Sequence, residues 1–332
     1  MKPWMRTITA VFLGVVIVLI GIPALVVGGW EYRTPEPEQL TYNPTIKLYL
    51  QSSKQVVEIG LEDYIKGVVA AEMPAAFEPS ALQAQAVAAR TYAVKRARLF
   101  GGKGCDAHPQ ADVCDNPAHC QAWLPVTELQ QRWGMIDYHT YRDKISAAVV
   151  ATAGEIITYQ GVAIDPVFHS TCGGKTEDAG NVWQKSQPYL QPVTCSYCLE
   201  SPKFLTDQRF SLDSFLTAAR GADSAVAVTA QQIKGGTPAL KIQAETSTGR
   251  VAAVSVGGRE IRGTELRYVL GLNSTRFTFE LEDDAIVFHV QGYGHGVGLC
   301  QYGANGMARS GKSYRQILSH YYQGTMISKL SQ

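Results

Sequence analysis

The chain predicts an α+β fold, with mixed helices and antiparallel strands forming a substrate groove, preceded by one N-terminal transmembrane helix. Three observations predict it. An uncharged apolar run extends from Thr7 to Trp30, helix-period patterns occupy Leu61 to Leu99, and short strand patterns recur between Glu155 and Val290.

The 24 positions from Thr7 to Trp30 cover roughly 36 Å as a helix at about 1.5 Å per residue, enough to cross a bilayer. Trp4 and Trp30 bracket the run, Lys2 and Arg6 precede it, and Glu31, Glu36 and Glu38 follow within a mixed-charge segment. The positive-inside rule then makes residues 1–6 a cytoplasmic N-terminus, 7–30 an anchor, 31–43 a linker and 44–330 an exported domain. A cleaved secretory signal is the rival, but the run is long for one and no clean A-x-A site follows. With 30 Lys and Arg against 29 Asp and Glu the net charge is +1, which gives no electrostatic case for nucleic acid. A neutral or uncharged polymer suits such a surface better.

In the exported part, Ile46–Leu50 and Val56–Ile59 read as strands and a helix follows from Leu61 towards Pro74. Pro79 occupies the first turn of a second helix, Ser80 to about Leu99, with Leu82, Ala86, Val87 and Ala93 on its apolar face and Gln83 and Arg90 along the border. Glu155–Tyr159 and Val162–Phe168, joined at Gln160-Gly161, read as a hairpin; Leu240–Glu245, Val251–Val256, Arg276–Leu281 and Ile286–Val290 read as further strands. Ser313 and Gln316 have capping-box spacing and open a helix carrying Tyr314, Ile317, Leu318 and Tyr321 before Gly324. Residues 205–240 carry no chemical signal.

Glu72 lies four and seven residues after Val68 and Ile65, in phase with the apolar face of the first helix. Burial disfavours its charged form, and the helix end enforced by Pro74 places it at the negative end of the helix dipole. Both effects raise its pKa and favour a protonated acid able to donate to a leaving oxygen. A buried ion pair with Arg90 is the structural alternative. Glu62, Asp63 and Glu78 are poorly placed along the chain to serve as a second catalytic carboxylate.

Cys105, His108, Cys114, His119 and Cys120 fall within sixteen residues of irregular sequence, inside an insertion at about 101–123. Two thiolates and two imidazoles satisfy tetrahedral zinc, and His108, Cys114, His119 and Cys120 form the expected set. Four protein ligands leave no open position, so the metal is expected to be structural and no catalytic cofactor is expected. Disulfides are the alternative in an exported chain, but they do not explain two histidines among the cysteines. Cys195-Ser196-Tyr197-Cys198, with Cys172 and Cys300, suits disulfides or a second soft-metal site; an ordinary disulfide is the expectation here.

Two glycine-rich segments, Phe168–Glu177 and Gln291–Ala304, surround turns with polar and aromatic side chains suited to sugar rings. The second is not a phosphate loop, since the Walker lysine and Ser/Thr are absent from it and no G-x-G-x-x-G opens a βαβ unit. Cys172 with His169 or His295 as a thiol nucleophile and base is a rival arrangement, although no third residue stands clearly beside it.

Leu61 to Pro74 with its Ala-Ala-Glu-Met-Pro end, Gln83–Ala93, Phe168–Glu177, Glu265-Leu266-Arg267 running into Leu270–Ser274, and Gly294–Gly298 through Gln301–Ala304 together resemble the stage II sporulation protein D family, in the group that also contains amidase-enhancer proteins. The resemblance covers nearly all the exported region and includes the anchor and the His108, Cys114, His119, Cys120 arrangement. It implies a lytic transglycosylase acting on peptidoglycan glycan strands, preferably lacking stem peptides, to leave 1,6-anhydro-N-acetylmuramic acid ends during forespore engulfment. The implied partners are a sporulation cell-wall amidase and an engulfment membrane protein complex, at the mother-cell membrane of the engulfing septum. The family's catalytic glutamate falls on Glu72, and Arg90, His169, Ser170, Lys175, Glu177, His295 and Gln301 are the implied substrate contacts. A non-catalytic, glycan-binding activator of an amidase is the alternative.

Overall fold

A computed structural model describes residues 42–235 and 239–330, with residues 4, 5, 12, 14, 15, 18 and 19 of the N-terminal unit Met1–Thr41. The expected cytoplasmic end, anchor and most of the linker fall largely outside the described residues. No helix among the described residues is long and apolar enough to cross a membrane.

The unit Tyr42–Gln332 begins with an antiparallel hairpin, β1 (Thr45–Leu50) and β2 (Gln55–Gly60). It runs directly into α1 (Leu61–Glu72), whose start is tied back by a bond from Leu61 N–H to the Pro44 carbonyl, 2.8 Å. Helix α2 (Pro79–Arg96) starts on proline, which loses no hydrogen bond in the first turn. The two helices pack through Val68, Val69, Leu82 and Val87, all fully buried. Strand β3 (Val113–Cys114) pairs in parallel with β1 and so attaches the cysteine and histidine insertion to the first hairpin. Helix α3 (Val126–Ala151), broken at Gly134 where φ is 69°, covers α1 and α2.

Strands β4 (Glu155–Tyr159) and β5 (Val162–Ala163) form the expected second hairpin, and β6 (Phe168–His169) leads into the short α4 (Ala179–Trp183). The second hairpin strand is shorter than the expected Val162–Phe168 because Pro166 lacks the N–H needed to continue the ladder.

Beyond this point a second core is built from β7 (Leu205–Ser211), α5 (Leu212–Ala222), α6 (Ala230–Lys234), β8 (Leu240–Glu245), β9 (Val251–Val256), β10 (Arg259–Arg262), α7 (Gly263–Leu270), β11 (Phe277–Glu282) and β12 (Ala285–Gln291). Two antiparallel sheets, β11-β12-β7 and β10-β9-β8, bury Phe215, Val254, Leu266 and Phe288. Strand β7 escaped the sequence pattern because its inward positions include the polar Thr206 and Gln208 beside Phe210. The chain then returns to the first core. Strand β13 (Leu299–Cys300) pairs in parallel with β6, and α8 (Gln301–Arg309), α9 (Tyr314–Tyr321) and β14 (Met326–Lys329) complete it, with β14 antiparallel to β4. The capping box of Ser313 and Gln316 is formed as expected. The architecture is α+β with mainly antiparallel strands, in agreement with the sequence.

Candidate active site

Glu72 is the last residue of α1, followed by Met73 in extended backbone (φ −115°, ψ 141°) and then Pro74. Its carboxyl is half-buried, and its Oε1 accepts a 2.8 Å hydrogen bond from the Ala122 N–H at the exit of the insertion. Burial holds the Glu72 pKa above the ordinary carboxylate value, while the Ala122 N–H and the more distant Arg132 charge partly oppose the rise. That direction is the one helix phase implies.

Arg90 departs from its expected place. Its side chain is fully buried, with Nε and Nη2 donating to the two oxygens of Glu62 at 2.8 and 2.6 Å. Further bonds run from Nη1 to the Glu155 carbonyl, 3.1 Å, and from Nη2 to the Val149 carbonyl, 3.3 Å. The guanidinium therefore locks α2 to the start of α1 and to the α3-β4 corner. It is corrected from a substrate contact, and from a partner of Glu72, to a core ion pair.

The β6-β13 pairing and a bridge between Thr171 and Tyr293 bring the two glycine-rich segments together. His169 donates from Nδ1 to the Val297 carbonyl, 3.0 Å, while the Val297 N–H donates to His295 Nδ1, 3.1 Å. The rings of His169 and His295 lie 5.5 Å apart, and Trp183 lies 5.0 Å from His295. Burial, with the Arg267 charge second, lowers the His295 pKa to about 4. Burial likewise pushes His169 well below its ordinary value, helped by His295 and Arg250. Both imidazoles are accordingly neutral at neutral pH and act by hydrogen bonding rather than by charge.

Glu177 is buried and saturated: Oε1 accepts from Asp178 N–H and Asn181 Nδ2, and Oε2 from the hydroxyls of Thr246 and Thr248. It braces the first glycine-rich segment against the β8-β9 turn, which corrects its expected role as a substrate contact. Gln301 is also buried and donates to Gln85 Oε1 at 3.5 Å. Ser170, Lys175 and His295 keep accessible surface, with Lys175 Nζ reaching the Ser247 carbonyl at 3.4 Å. Helix α8 connects this region to the segment after Glu72: Glu78 N–H donates to Asn305 Oδ1, 2.8 Å, and Phe77 meets Tyr302 edge-on with ring centres 5.0 Å apart.

Sequence reasoning missed Trp183 and Arg250. Arg250 is buried, donates from Nη2 to the Cys172 carbonyl at 2.8 Å, and has Nε and Nη1 without partners among the described residues. It lies against Gly296, where φ is +86° and any Cβ would collide with the guanidinium. A single arginine between a turn and a strand leaves no periodic trace. The glycine run facing it was the available signal.

In the insertion, the donor atoms of His108, Cys114 and His119 lie within 4.8 Å of one another, as do those of Cys105, Cys114 and Cys120. Cys114 belongs to both groups, and Cys105 Sγ, outside the expected set, is 3.6 Å from Cys120 Sγ. His108 stacks on Tyr49, 3.8 Å between centres, and its buried Nε2 has no protein partner among the described residues. A soft donor set with an orphaned buried imidazole nitrogen fits a metal ion.

All seven cysteines are free. The expected disulfide within Cys195-Ser196-Tyr197-Cys198 is thus corrected, because the turn at Ser196–Cys198 directs both thiols towards Cys172 and Cys300. Cys172 Sγ lies 3.5 Å from Cys198 Sγ and makes no hydrogen bond to either imidazole among the described residues, so the thiol-imidazole pair is not formed.

With a helix-terminal carboxyl of raised pKa, a Cys/His insertion holding its flank and two paired glycine-rich segments, the chain falls in the class of sporulation proteins: the family model described as Stage II sporulation protein matches residues 49–159. Those residues include Glu72 and every member of the Cys105–Cys120 cluster. The chain is 38% identical over 293 residues to Stage II sporulation protein D of Bacillus subtilis (strain 168), covering 88% of this chain and 81% of that relative. It is 36% identical over 299 residues to Stage II sporulation protein D of Bacillus amyloliquefaciens, covering 90% and 83%. The chain belongs to the stage II sporulation protein D family. An Amidase enhancer of Bacillus subtilis (strain 168) is 28% identical, over 80% of this chain and 40% of that protein.

Proposed function

We propose that the chain is a membrane-anchored lytic transglycosylase that cleaves peptidoglycan glycan strands, preferably free of stem peptides, during forespore engulfment. The observation that carries this reading is the single half-buried carboxyl of Glu72, with raised pKa and an orienting bond from Ala122. The protonated acid donates to the glycosidic oxygen between N-acetylmuramic acid and N-acetylglucosamine as that bond breaks. The resulting carboxylate removes the proton from the muramyl C6 hydroxyl, whose oxygen closes on C1 to give the 1,6-anhydro ring. One group performs both transfers, whereas hydrolysis would require a second carboxylate to activate water or attack the sugar.

The neighbouring acids are committed elsewhere, which supports the one-acid scheme: Glu62 is paired to Arg90, and Asp63 binds Lys66 at 2.9 Å. Ser170, Lys175 and His295 are the residues offered to the sugar. Zinc held by Cys114 with His108, His119 and Cys120 would be structural, ordering the insertion that ends at Ala122. The anchor expected at residues 7–30 would hold the exported domain at the mother-cell membrane, near an amidase and an engulfment complex.

Similarity to an Amidase enhancer favours a second reading, in which the protein binds glycan and stimulates an amidase without cleaving it. Incubating the full-length chain with amidase-treated glycan strands separates the two. Anhydro ends detected by mass spectrometry, and lost in Glu72→Gln, support the enzyme; unchanged strands with retained amidase stimulation overturn it.

A further inference from the structure

We propose that Cys172, Cys195, Cys198 and Cys300 form a second metal centre, made of four thiolates, that takes zinc and fastens the two glycine-rich segments to one another. The four sulfur atoms lie within 4.8 Å of one another and all four residues are buried. Tetrahedral zinc, with Zn–S of about 2.3 Å, places its sulfurs about 3.8 Å apart. The Cys172 and Cys198 sulfurs are 3.5 Å apart, far from the roughly 2.05 Å of a disulfide.

The thiols come from three stretches far apart in sequence, which the β6-β13 pairing and a Lys175–Thr194 bridge also bring side by side. Cys172 follows β6, Cys195 and Cys198 flank one turn in a C-x-x-C, and Cys300 closes β13 and caps α8. A C-x-x-C turn with two further cysteines from separate loops is a recurring way to surround a structural zinc ion. The surroundings suit thiolates as well. Cys300 Sγ accepts from Cys172 N–H and Gly303 N–H, each at 3.3 Å, at the positive end of α8. The Tyr321 hydroxyl is 3.1 Å from Cys195 Sγ, and a Cβ at Gly303 would collide with both. Arg250 reaches the Cys172 carbonyl at 2.8 Å and brings positive charge to a centre whose four thiolates outweigh one divalent ion. Such outer contacts orient ligands and offset their charge. On binding, the thiols release their protons to solvent and no oxidation takes place.

The centre is separate from the Cys105–Cys120 cluster, so its test uses a background without that cluster. Full-length chain carrying Cys105→Ser, Cys114→Ser and Cys120→Ser, stripped of metal and titrated with cobalt(II), is expected to bind one equivalent and to show sulfur-to-cobalt charge transfer with tetrahedral d–d bands. Adding Cys195→Ser should abolish that spectrum. Unaltered chain, denatured without reductant and alkylated, is expected to yield Cys172, Cys195, Cys198 and Cys300 as free thiols, with their zinc released. Recovery of these four as disulfide-linked peptides, or a cobalt spectrum unchanged by Cys195→Ser, would overturn the proposal. The thiol map uses no variant, so a misfolded mutant leaves the proposal exposed to refutation.

Discussion

Glu72 and Ala122 are joined across fifty residues by one 2.8 Å bond, from a backbone N–H just past the insertion's last turn to the carboxyl at the end of α1. Ala122 stands two positions after Cys120, so the order of the Cys/His cluster is transmitted directly to the candidate acid. The bond selects one carboxyl rotamer and leaves the acid oriented before substrate arrives.

Replacing the carboxyl with its amide keeps the shape and the Ala122 contact while removing the acid that both proposed proton transfers need. Glu72→Gln should lower anhydro-end formation by at least about 10²–10⁴-fold, the usual contribution of a positioned acid. Its circular dichroism should match that of the unaltered chain. Mass spectrometry of digested glycan strands measures the loss, and retained cleavage would refute the one-acid mechanism.

The raised pKa of Glu72 makes a pH prediction with a definite sign. The folded state keeps this proton above pH 4.5, the value for a free glutamic acid, whereas the unfolded chain gives it up there. The folded state binds more protons in that interval, so this group's contribution to stability falls as pH rises from the unfolded to the folded pKa. Glu72→Gln should therefore be relatively more stable at neutral than at acid pH, as read by urea midpoints across pH. In the active protein the basic limb of the rate profile should lie above the ordinary carboxylate range.

Arg90 offers a test between scaffold and substrate roles. Arg90→Met leaves Glu62 charged and buried and should cost about 3–5 kcal/mol of stability. The double variant Arg90→Met with Glu62→Leu should recover part of the loss, incompletely because Glu62 Oε1 also accepts the Gly154 N–H at 3.0 Å. Urea denaturation reads both. A change in glycan affinity without loss of stability would instead return Arg90 to the substrate.

Chelation should separate structural from catalytic metal. If the cluster around Cys114 holds a structural ion, activity and tertiary structure are lost together on titration with chelator and return together with zinc. Activity lost while near-ultraviolet circular dichroism persists would indicate a metal that takes part in the reaction.

Much of the fold was legible because local patterns agreed with burial. The phase of Ile65, Val68 and Glu72, proline at position 79 and the Ser313 capping box each specify an element within a few residues. Strand β7 was not legible, since polar residues occupy its inward face, and neither was α3, whose Gly134 break and exposed Met135 and Ile136 blur its period. At the site, residue chemistry pointed to Glu72 and to the insertion. Distance did not follow from it: Arg90 was a plausible neighbour of Glu72 until Glu62, at the opposite end of the same helix, proved to be its partner. The arrangement of four thiols was likewise hidden because Cys172 and Cys300, 128 residues apart, meet only beside the β6-β13 pairing.

The second core has one further implication. The Gly292 N–H donates to the Phe204 carbonyl at 3.0 Å, so the whole stretch from 205 to 291 enters and leaves through a single doorway beside the paired glycine-rich segments. Away from the Thr246, Thr248 and Arg250 contacts to the host, a guest attached in this way can change size and surface at little entropic cost. The cavity of about 660 Å³ bordered by Val228, Lys241 and Gly257 belongs to that guest, apart from the candidate acid and its Cys/His flank.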